Sequence, residues 1–412
     1  MIDRGSIPHS LQSDEVIEIV ANGLQPLLRG RKNSLIIIPD STRTLPLRLL
    51  FPVINQVAKQ QMCHIDYLIA LGTHPPLSDI EIEQLLGKES LCESREKHGI
   101  KIINHDWMNK NSLSCLGKIS ASEVSEITGG LLEIEIPVVI NKLIHSYEQI
   151  VICGPVFPHE VAGFSGGEKY LFPGIAGEEI IHITHWLGAL STSMDTIGKA
   201  DTLVRKIIHR ASSFIKTPVV NMAFCLKGKE VFGVFIGDMK ETWEEASKLS
   251  AKIDITHVPG LYKSVLSIPS NIYNELWTAA KAMYKLEPVV ADGGELIIFA
   301  PHLCEISLTH GDCIKKVGYH VRDFFINQWD SYQDYPWAVL AHSTHVKGKG
   351  VFKEGIEIPR IHVKLSTGIS KELCQKINLE YIDPDSISFA DWENSKDRLL
   401  VHNAGETLYR SI

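Results

Sequence analysis

Leu35-Ile-Ile-Ile-Pro-Asp-Ser-Thr-Arg43 (LIIIPDSTR) decides the fold. The short apolar run Leu35 to Asp40, ending in an acid, reads as a buried parallel strand. Its exit, Asp40-Ser41-Thr42-Arg43, lies where open α/β sheets hold ligands, at the carboxyl end of a strand. Two hydroxyls offer donors and Arg43 a planar fork for a phosphate or carboxylate. A helix cap beside a surface Arg would look the same over these residues alone.

Upstream, Ser13 to Leu28 has the pattern of an amphipathic helix with Ser13 as its N-cap. Asp14 and Glu15 place negative charge in the first turn, and Val16 at the third helical position excludes a capping box. Downstream the strand reading repeats. Ile65 to Leu71 exits into Gly72-Thr73-His74-Pro75, a helix covers Ser78 to Leu86, and Ile100 to Ile103 exits into Asn104-His105-Asp106. An imidazole between an amide and a carboxylate at a strand end is an acid/base candidate, with a satisfied loop His as the bland alternative. His74 reads as structural.

The strand Gln149 to Cys153 then delivers PHEVAGFSGGEKYLFPGIAGEEIIHITH, Pro158 to His185. Gly163, Gly166 and Gly167 let backbone N–H groups approach a ligand, and Lys169 follows at once as a cation or nucleophile. A helix beginning near Ala176 carries His182 and His185. Lys169-Tyr170 does not fit the phosphate loop, which needs Lys-Ser/Thr. Gly163-x-Ser165-x-Gly167 matches a nucleophile elbow on paper, but Gly166-Gly167 does not read as the helix that must follow.

PHEVAGFSGGEKYLFPG resembles the signature of the lactate racemase family, the nickel-pincer nucleotide enzymes. The resemblance implies that His159 is one catalytic acid/base, that Lys169 bonds covalently to the cofactor, and that a later His ligates nickel. That His lies sixteen residues past the Lys, 185 − 169, which selects His185 over His182. Asn104-His105-Asp106 resembles the motif of the family's other catalytic His. The resemblance further implies cofactor and substrate-anion contacts from Asp40, Ser41, Thr42 and Arg43, with Thr44 where the family usually has Pro. After Gly72-Thr73-His74 the family has a base, and here stands Pro75.

The totals are compatible with this. The chain has 412 residues, 44% hydrophobic, with a net charge of −8, enough for two domains. The acid excess argues against a nucleic-acid partner. No eighteen-residue apolar run predicts a membrane span, and the N-terminus lacks a signal-peptide core. Eight Cys without a C-x-x-C pair read as reduced thiols, so a cytoplasmic location is expected.

Further along, Asp195 to Ile215 reads as one helix whose basic residues, Arg205, His209 and Arg210 among them, form a solvated face. Strands are expected at Val219 to Cys225 and Val231 to Ile236, joined by a Lys227-Gly228-Lys229 hairpin turn. The pattern restarts near residue 260 with a strand Ser264 to Ile268 and a helix Asn274 to Lys285, on which Trp277 and Lys281 share a face. Here the family has Tyr-Gln-x-x-Lys closing over the cofactor; Lys281 matches, while Trp277 and Thr278 depart. Strands Glu295 to Ala300, His362 to Leu365 and Leu399 to His402 follow. His302, His310, His342 and His345 read as loop histidines.

The expected architecture is therefore α/β, two α/β domains with the active site in the cleft between them. One spans 1–260 and the other 261–394, and a return of about residues 395–412 to the first is left open. The expected function is inversion of the C2 hydroxyl centre of a 2-hydroxy acid. Its Cα–H is not acidic, so hydride removal to a cofactor, with two imidazoles handling the hydroxyl proton, is the available route. The implied cofactor is a nickel-bound, sulfur-bearing pyridinium mononucleotide (the nickel-pincer nucleotide) linked to Lys169, with Thr278 and Lys281 among its contacts. Cofactor-maturation enzymes are the implied protein partners. Two readings compete: a Ser165/Lys169 nucleophile enzyme, and a nucleotide-cofactor binding protein without turnover.

Overall fold

Buried on both faces, the LIIIPD run becomes an interior strand of a seven-stranded sheet. The computed structural model describes residues 2–5, 9–393 and 395–412. The strands are β1 (Ile2–Gly5), β2 (Asn33–Pro39), β3 (His64–Ala70), β4 (Ile102–Asn104), β5 (Gln149–Pro155), β6 (Val219–Lys227) and β7 (Glu230–Asp238). Their order is β1-β7-β6-β5-β2-β3-β4. From β6 to β4 all neighbours are parallel, and β7 adds antiparallel to β6 across the expected turn. The strand order reverses between β5 and β2, so the carboxyl ends of these two neighbours form the switch point where such sheets accept ligands.

Helix α1 (Ser13–Leu28) buries Val16, Ile19, Val20, Leu24 and Leu28 in one core with α2 (Leu47–Gln60) and the strands. Its cap differs from the expected one. Gln12 precedes the helix, and the Glu15 carboxylate accepts the Gln12 N–H at 2.9 Å. A Gln outside the usual capping set hid this arrangement.

Contacts divide the chain into two compact units. The first is Met1–Phe157, Phe164–Thr184 and Ala200–Ile253; the second is Pro158–Gly163, His185–Lys199 and Asp254–Ile412. The division thus crosses helix α3 (Glu178–Leu190) between Thr184 and His185. The second unit is built on a parallel sheet of β8 (Tyr262–Pro269), β9 (Val290–Ala300), β10 (His362–Thr367), β11 (Glu380–Tyr381) and β12 (Arg398–Ala404), in the order β11-β10-β9-β8-β12. The closing residues, for which the sequence left open a return to the first domain, stay in this unit. There β12 pairs with β8, and Leu408–Ser411 pairs with Ile255–Val258.

Two expected helices are corrected. Asp195 to Ile215 breaks into a turn at Ser193–Thr196 and helix α4 (Leu203–Ser212). Gly198, at φ +75°, turns the chain and donates to the Gly163 carbonyl, and Thr202 caps the new helix on the Arg205 N–H. Asn274 to Lys285 reduces to two single turns, Leu276–Ala279 and Lys281–Tyr284. All eight cysteines are free, and no helix among the described residues is long and apolar enough to cross a membrane.

Candidate functional site

In the first unit the turn after β2 is organised by Asp40. Its carboxylate accepts the Thr42 N–H at 3.1 Å and the Thr42 hydroxyl at 2.6 Å, and pairs with His74 Nδ1 at 2.5 Å. Burial alone would raise the Asp40 pKa. The His74 bond and charge, Arg43 and Thr42 outweigh it and hold the carboxyl at about 2. Asp40 and Thr42 thus satisfy one another, while Ser41 is exposed and Arg43 half-buried, 5.4 Å from the Phe157 ring. His74, read as structural, is the residue that fixes Asp40.

His105 follows β4 and is buried, and both its nitrogens are engaged. Nε2 lies 2.9 Å from the Ala176 carbonyl and Nδ1 lies 3.1 Å from the Asn141 amide nitrogen. A carbonyl can only accept, so Nε2 carries the proton. The Asn141 amide oxygen already accepts the Leu143 N–H at 3.1 Å, so its nitrogen faces the ring and donates to Nδ1. Burial pushes the His105 pKa down, against the Ala176 bond and Asp106.

The glycine-rich loop after β5 is gripped from behind. Buried Arg205, on α4, donates to the Phe164 and Gly166 carbonyls and stacks 4.2 Å from the Trp243 ring. Trp243 Nε1 donates to the Ser165 carbonyl at 2.9 Å. Gly167, at φ +58°, lies where an added Cβ would meet Trp243 at 2.8 Å. His209 pairs with Glu168 at 3.1 Å. The expected solvated basic face is therefore corrected at Arg205, whose burial is offset by carbonyls and a ring face. Lys169 sits half-buried on the resulting turn, Gly167–Tyr170. The Ser165 hydroxyl donates to the Pro155 carbonyl and accepts the Phe157 N–H. Those bonds tie the loop to the end of β5 and occupy the hydroxyl that the nucleophile reading needs.

In the second unit His159 is 7% exposed. Its Nδ1 lies 3.1 Å from the Val161 N–H and 3.5 Å from the Glu160 carboxylate. Half-buried His185 belongs to the same unit, and the segments bearing the two histidines touch. A Cβ on Gly188 would meet Val161 at 2.9 Å. His342 and His345 are not loop histidines; both lie buried on helix α5 (Trp337–Lys347). Burial pushes each to about 3, and His185 is near enough to lower His345 further. Trp277 stacks on the His342 ring at 3.8 Å and 10°, and the His310 ring is 4.5 Å away. The broken helix has released Trp277 from the face expected for Lys281, which lies 5.3 Å from the Tyr273 ring. The Thr278 hydroxyl donates to the Glu275 carbonyl.

A cavity of about 410 Å³ also lies in this unit, reaching His345. Its cations are already paired, Arg322 with Asp323, Lys349 with Asp195 and Arg360 with Asp292.

Among the described residues no group of three or more His, Cys, Asp or Glu could hold a metal ion by itself. A metal bound at His185 would take its remaining donors from a cofactor, a set that soft sulfur and imidazole supply. Each unit by itself offers one group of the kind such a cofactor needs, a Lys on a braced turn in the first and an imidazole on α3 in the second. Sequence reading missed Asn141, Glu160, Arg205 and Trp243. Their types carry no chemical signal at those spacings, although a basic residue at a buried helical position offered a hint for Arg205.

A family model described as lactate racemase N-terminal domain matches residues 10–198. The lactate racemase of Thermoanaerobacterium thermosaccharolyticum is 26% identical over 72% of this chain and 67% of its own length. That of Lactiplantibacillus plantarum is 24% identical over 71% and 67%. Among solved structures, a protein from Thermotoga maritima is 30% identical with a TM-score of 0.87, covering 99% of this chain and 100% of that one. The Thermoanaerobacterium lactate racemase apoprotein, at 18% identity, shares the fold with a TM-score of 0.75 over 99% and 94%. The α/β fold and these matches agree with the signature at Pro158 to Gly174, and residues 10–198 belong to the lactate racemase N-terminal domain family.

Proposed function

We propose that this isomerase, a racemase by its family, inverts the C2 hydroxyl centre of a 2-hydroxy acid, with His105 and His159 as proton carriers. In this reading Lys169 links a nickel-pincer nucleotide and His185 ligates its metal. The observation that carries it is the braced turn. Arg205 and Trp243 fix the loop on three carbonyls, which holds the backbone at Lys169 in one place.

When bound, the nucleotide supplies a hydride acceptor, which no side chain can be. The chain's own residues do the rest. Arg43 and Lys281 hold anions, the substrate carboxylate or the nucleotide phosphate. One imidazole takes the hydroxyl proton as the C2–H leaves with its electron pair, giving the planar 2-keto acid. The other returns a proton to the oxygen when hydride comes back on the opposite face. Asp40, Ser41, Thr42 and Thr278 shape the approach to the anions. Two imidazoles are needed because the two enantiomers present their hydroxyls differently. Pro75, Trp277 and Thr278 depart from the lactate-type pattern, so a larger or more acidic hydroxy acid is the expected substrate.

The test uses protein co-produced with the maturation enzymes. Metal analysis should give about one nickel per chain, and the intact mass should carry an adduct that Lys169→Ala loses. A panel of single-enantiomer hydroxy acids, followed by optical rotation, should show inversion of at least one. An adduct retained in Lys169→Ala refutes the linkage, and loaded protein that inverts none of the panel supports a carrier without turnover.

A further inference from the structure

We infer that Tyr170 is an oxyanion-binding residue of the first unit, its phenol O–H and the Arg43 guanidinium holding one carboxylate or phosphate between them. This deepens the reading of Arg43 as an anion holder and rests on it. The strand ends set the position. The pairing of β2 with β5 stops at Ile37 with Ile152, so Gly154 stands two residues further on, at the switch point where such a sheet takes its ligand. There the tip of Tyr170 lies directly on the β5 backbone. A Cβ on Gly154 would meet the Tyr170 hydroxyl oxygen and the ring carbons Cζ and Cε2 at 2.3 Å, so glycine is what lets the phenol reach this place.

The hydroxyl arrives there without a protein partner. Among the described residues it makes no hydrogen bond, and Tyr170 is only half-buried. Burial pushes the phenol far above its ordinary pKa, with Arg43 working against that and Cys153 and Asp40 adding to it, so near pH 7 it is a donor. Asp40 does not receive its proton, because the carboxylate oxygens face Thr42 and His74. Arg43 rests 5.4 Å from the Phe157 ring and forms no ion pair among the described residues. A donor left unmet costs stability, and a guanidinium beside it makes the fitting partner an anion. An oxyanion answers both groups: one oxygen accepts the phenol O–H and the guanidinium fork takes the same ion. Tyr170 follows Lys169 directly, so this anion and a group linked at Lys169 would share one turn.

Carbon NMR of the full chain without cofactor, labelled at tyrosine Cζ, reads the hydroxyl directly, and Tyr170→Phe identifies the Tyr170 signal by its absence. Inorganic phosphate and glycolate, the smallest 2-hydroxy acid, are the probes. At least one of them should shift the Tyr170 signal saturably, and Arg43→Gln should abolish that shift. By calorimetry Tyr170→Phe should bind the same ion about tenfold more weakly. Its unfolding midpoint should match the wild type, because the ring still covers Gly154; a merely structural hydroxyl would show the reverse pattern. In enzyme matured with cofactor the two sources separate. If glycolate is the ion bound, Tyr170→Phe raises KM about tenfold with the Lys169 adduct unchanged. If phosphate is the ion bound, the yield of adduct falls and KM stays. A Tyr170 signal that neither ion moves, or a Tyr170→Phe variant that binds as tightly as the wild type, overturns the inference. Ion binding at Tyr170 in loaded enzyme that inverts no hydroxy acid would fault the functional reading instead.

Discussion

His105 and His159 are the same side chain in two regions built on different rules. His105 stands at the end of a parallel strand, and three backbone or amide groups agree on where its proton goes. His159 stands in a segment assigned to the second unit, beside the Val161 N–H at 3.1 Å and the Glu160 carboxylate at 3.5 Å. The sheet of the first unit supplies precision, because a strand exit fixes what surrounds it. The second unit's histidines keep unsatisfied atoms, with His342 Nδ1 and His345 Nε2 buried and without hydrogen-bond partners. Polar groups left in that condition cost stability and are the ones available to reorganise when a ligand arrives.

The comparison breaks first on turnover. His105→Ala and His159→Ala should each lower kcat by two to four orders of magnitude, about the worth of a positioned acid/base, with cofactor loading intact. If either keeps near-normal rates in both directions, the pair is wrongly assigned. Arg205→Met comes next. It takes the Arg205 donors from the buried Phe164 and Gly166 carbonyls, the second keeping only the Lys169 N–H at 3.3 Å, at roughly 1–3 kcal/mol for a lost partner. Denaturant unfolding should show a loss of about 3 kcal/mol, and the yield of Lys169 adduct should fall. Unchanged stability would mean the loop needs no brace.

Stability should also fall on acidification. His342 and His345, held at about 3 when folded against 6.5, bind protons in the unfolded chain but not in the folded one between those values. Their folded pKa is depressed, so the stability they permit is complete above pH 6.5 and is lost on acidification toward 3. The two together give a slope of up to about 2.7 kcal/mol per pH unit, and His345→Gln should remove about half. Asp40, held at about 2, adds its own loss only as pH falls below 3.8. Unfolding midpoints flat from pH 6.5 to 4 would show these imidazoles are not buried neutral.

Much of the first sheet was legible because period and composition act locally. The run at Leu35 to Asp40, the hairpin turn at Gly228 and the strands that end beside His74 and His105 each follow from a few adjacent residues. The signature from Pro158 to His185 was legible for the same reason. What surrounds it was not. Arg205 lies far along the chain from Phe164, and its burial depends on Trp243 from another helix. Asn141 sits in an unremarkable strand, and the amide matters only because folding brings it to His105. The helices expected at Asp195 to Ile215 and Asn274 to Lys285 have helical patterning but are interrupted, the first by the Gly198 turn that meets the Gly163 carbonyl. Such tertiary bonds override local propensity.

Hydride chemistry with two proton-carrying imidazoles is tested most directly by isotope. A single enantiomer carrying deuterium at C2 is converted in ordinary water by fully matured enzyme, and the opposite enantiomer is isolated. The deuterium should remain at C2, because hydride does not exchange with solvent while the imidazole protons do. Product with hydrogen from water at C2 would mean the centre is inverted through proton abstraction from carbon, and the account would be wrong.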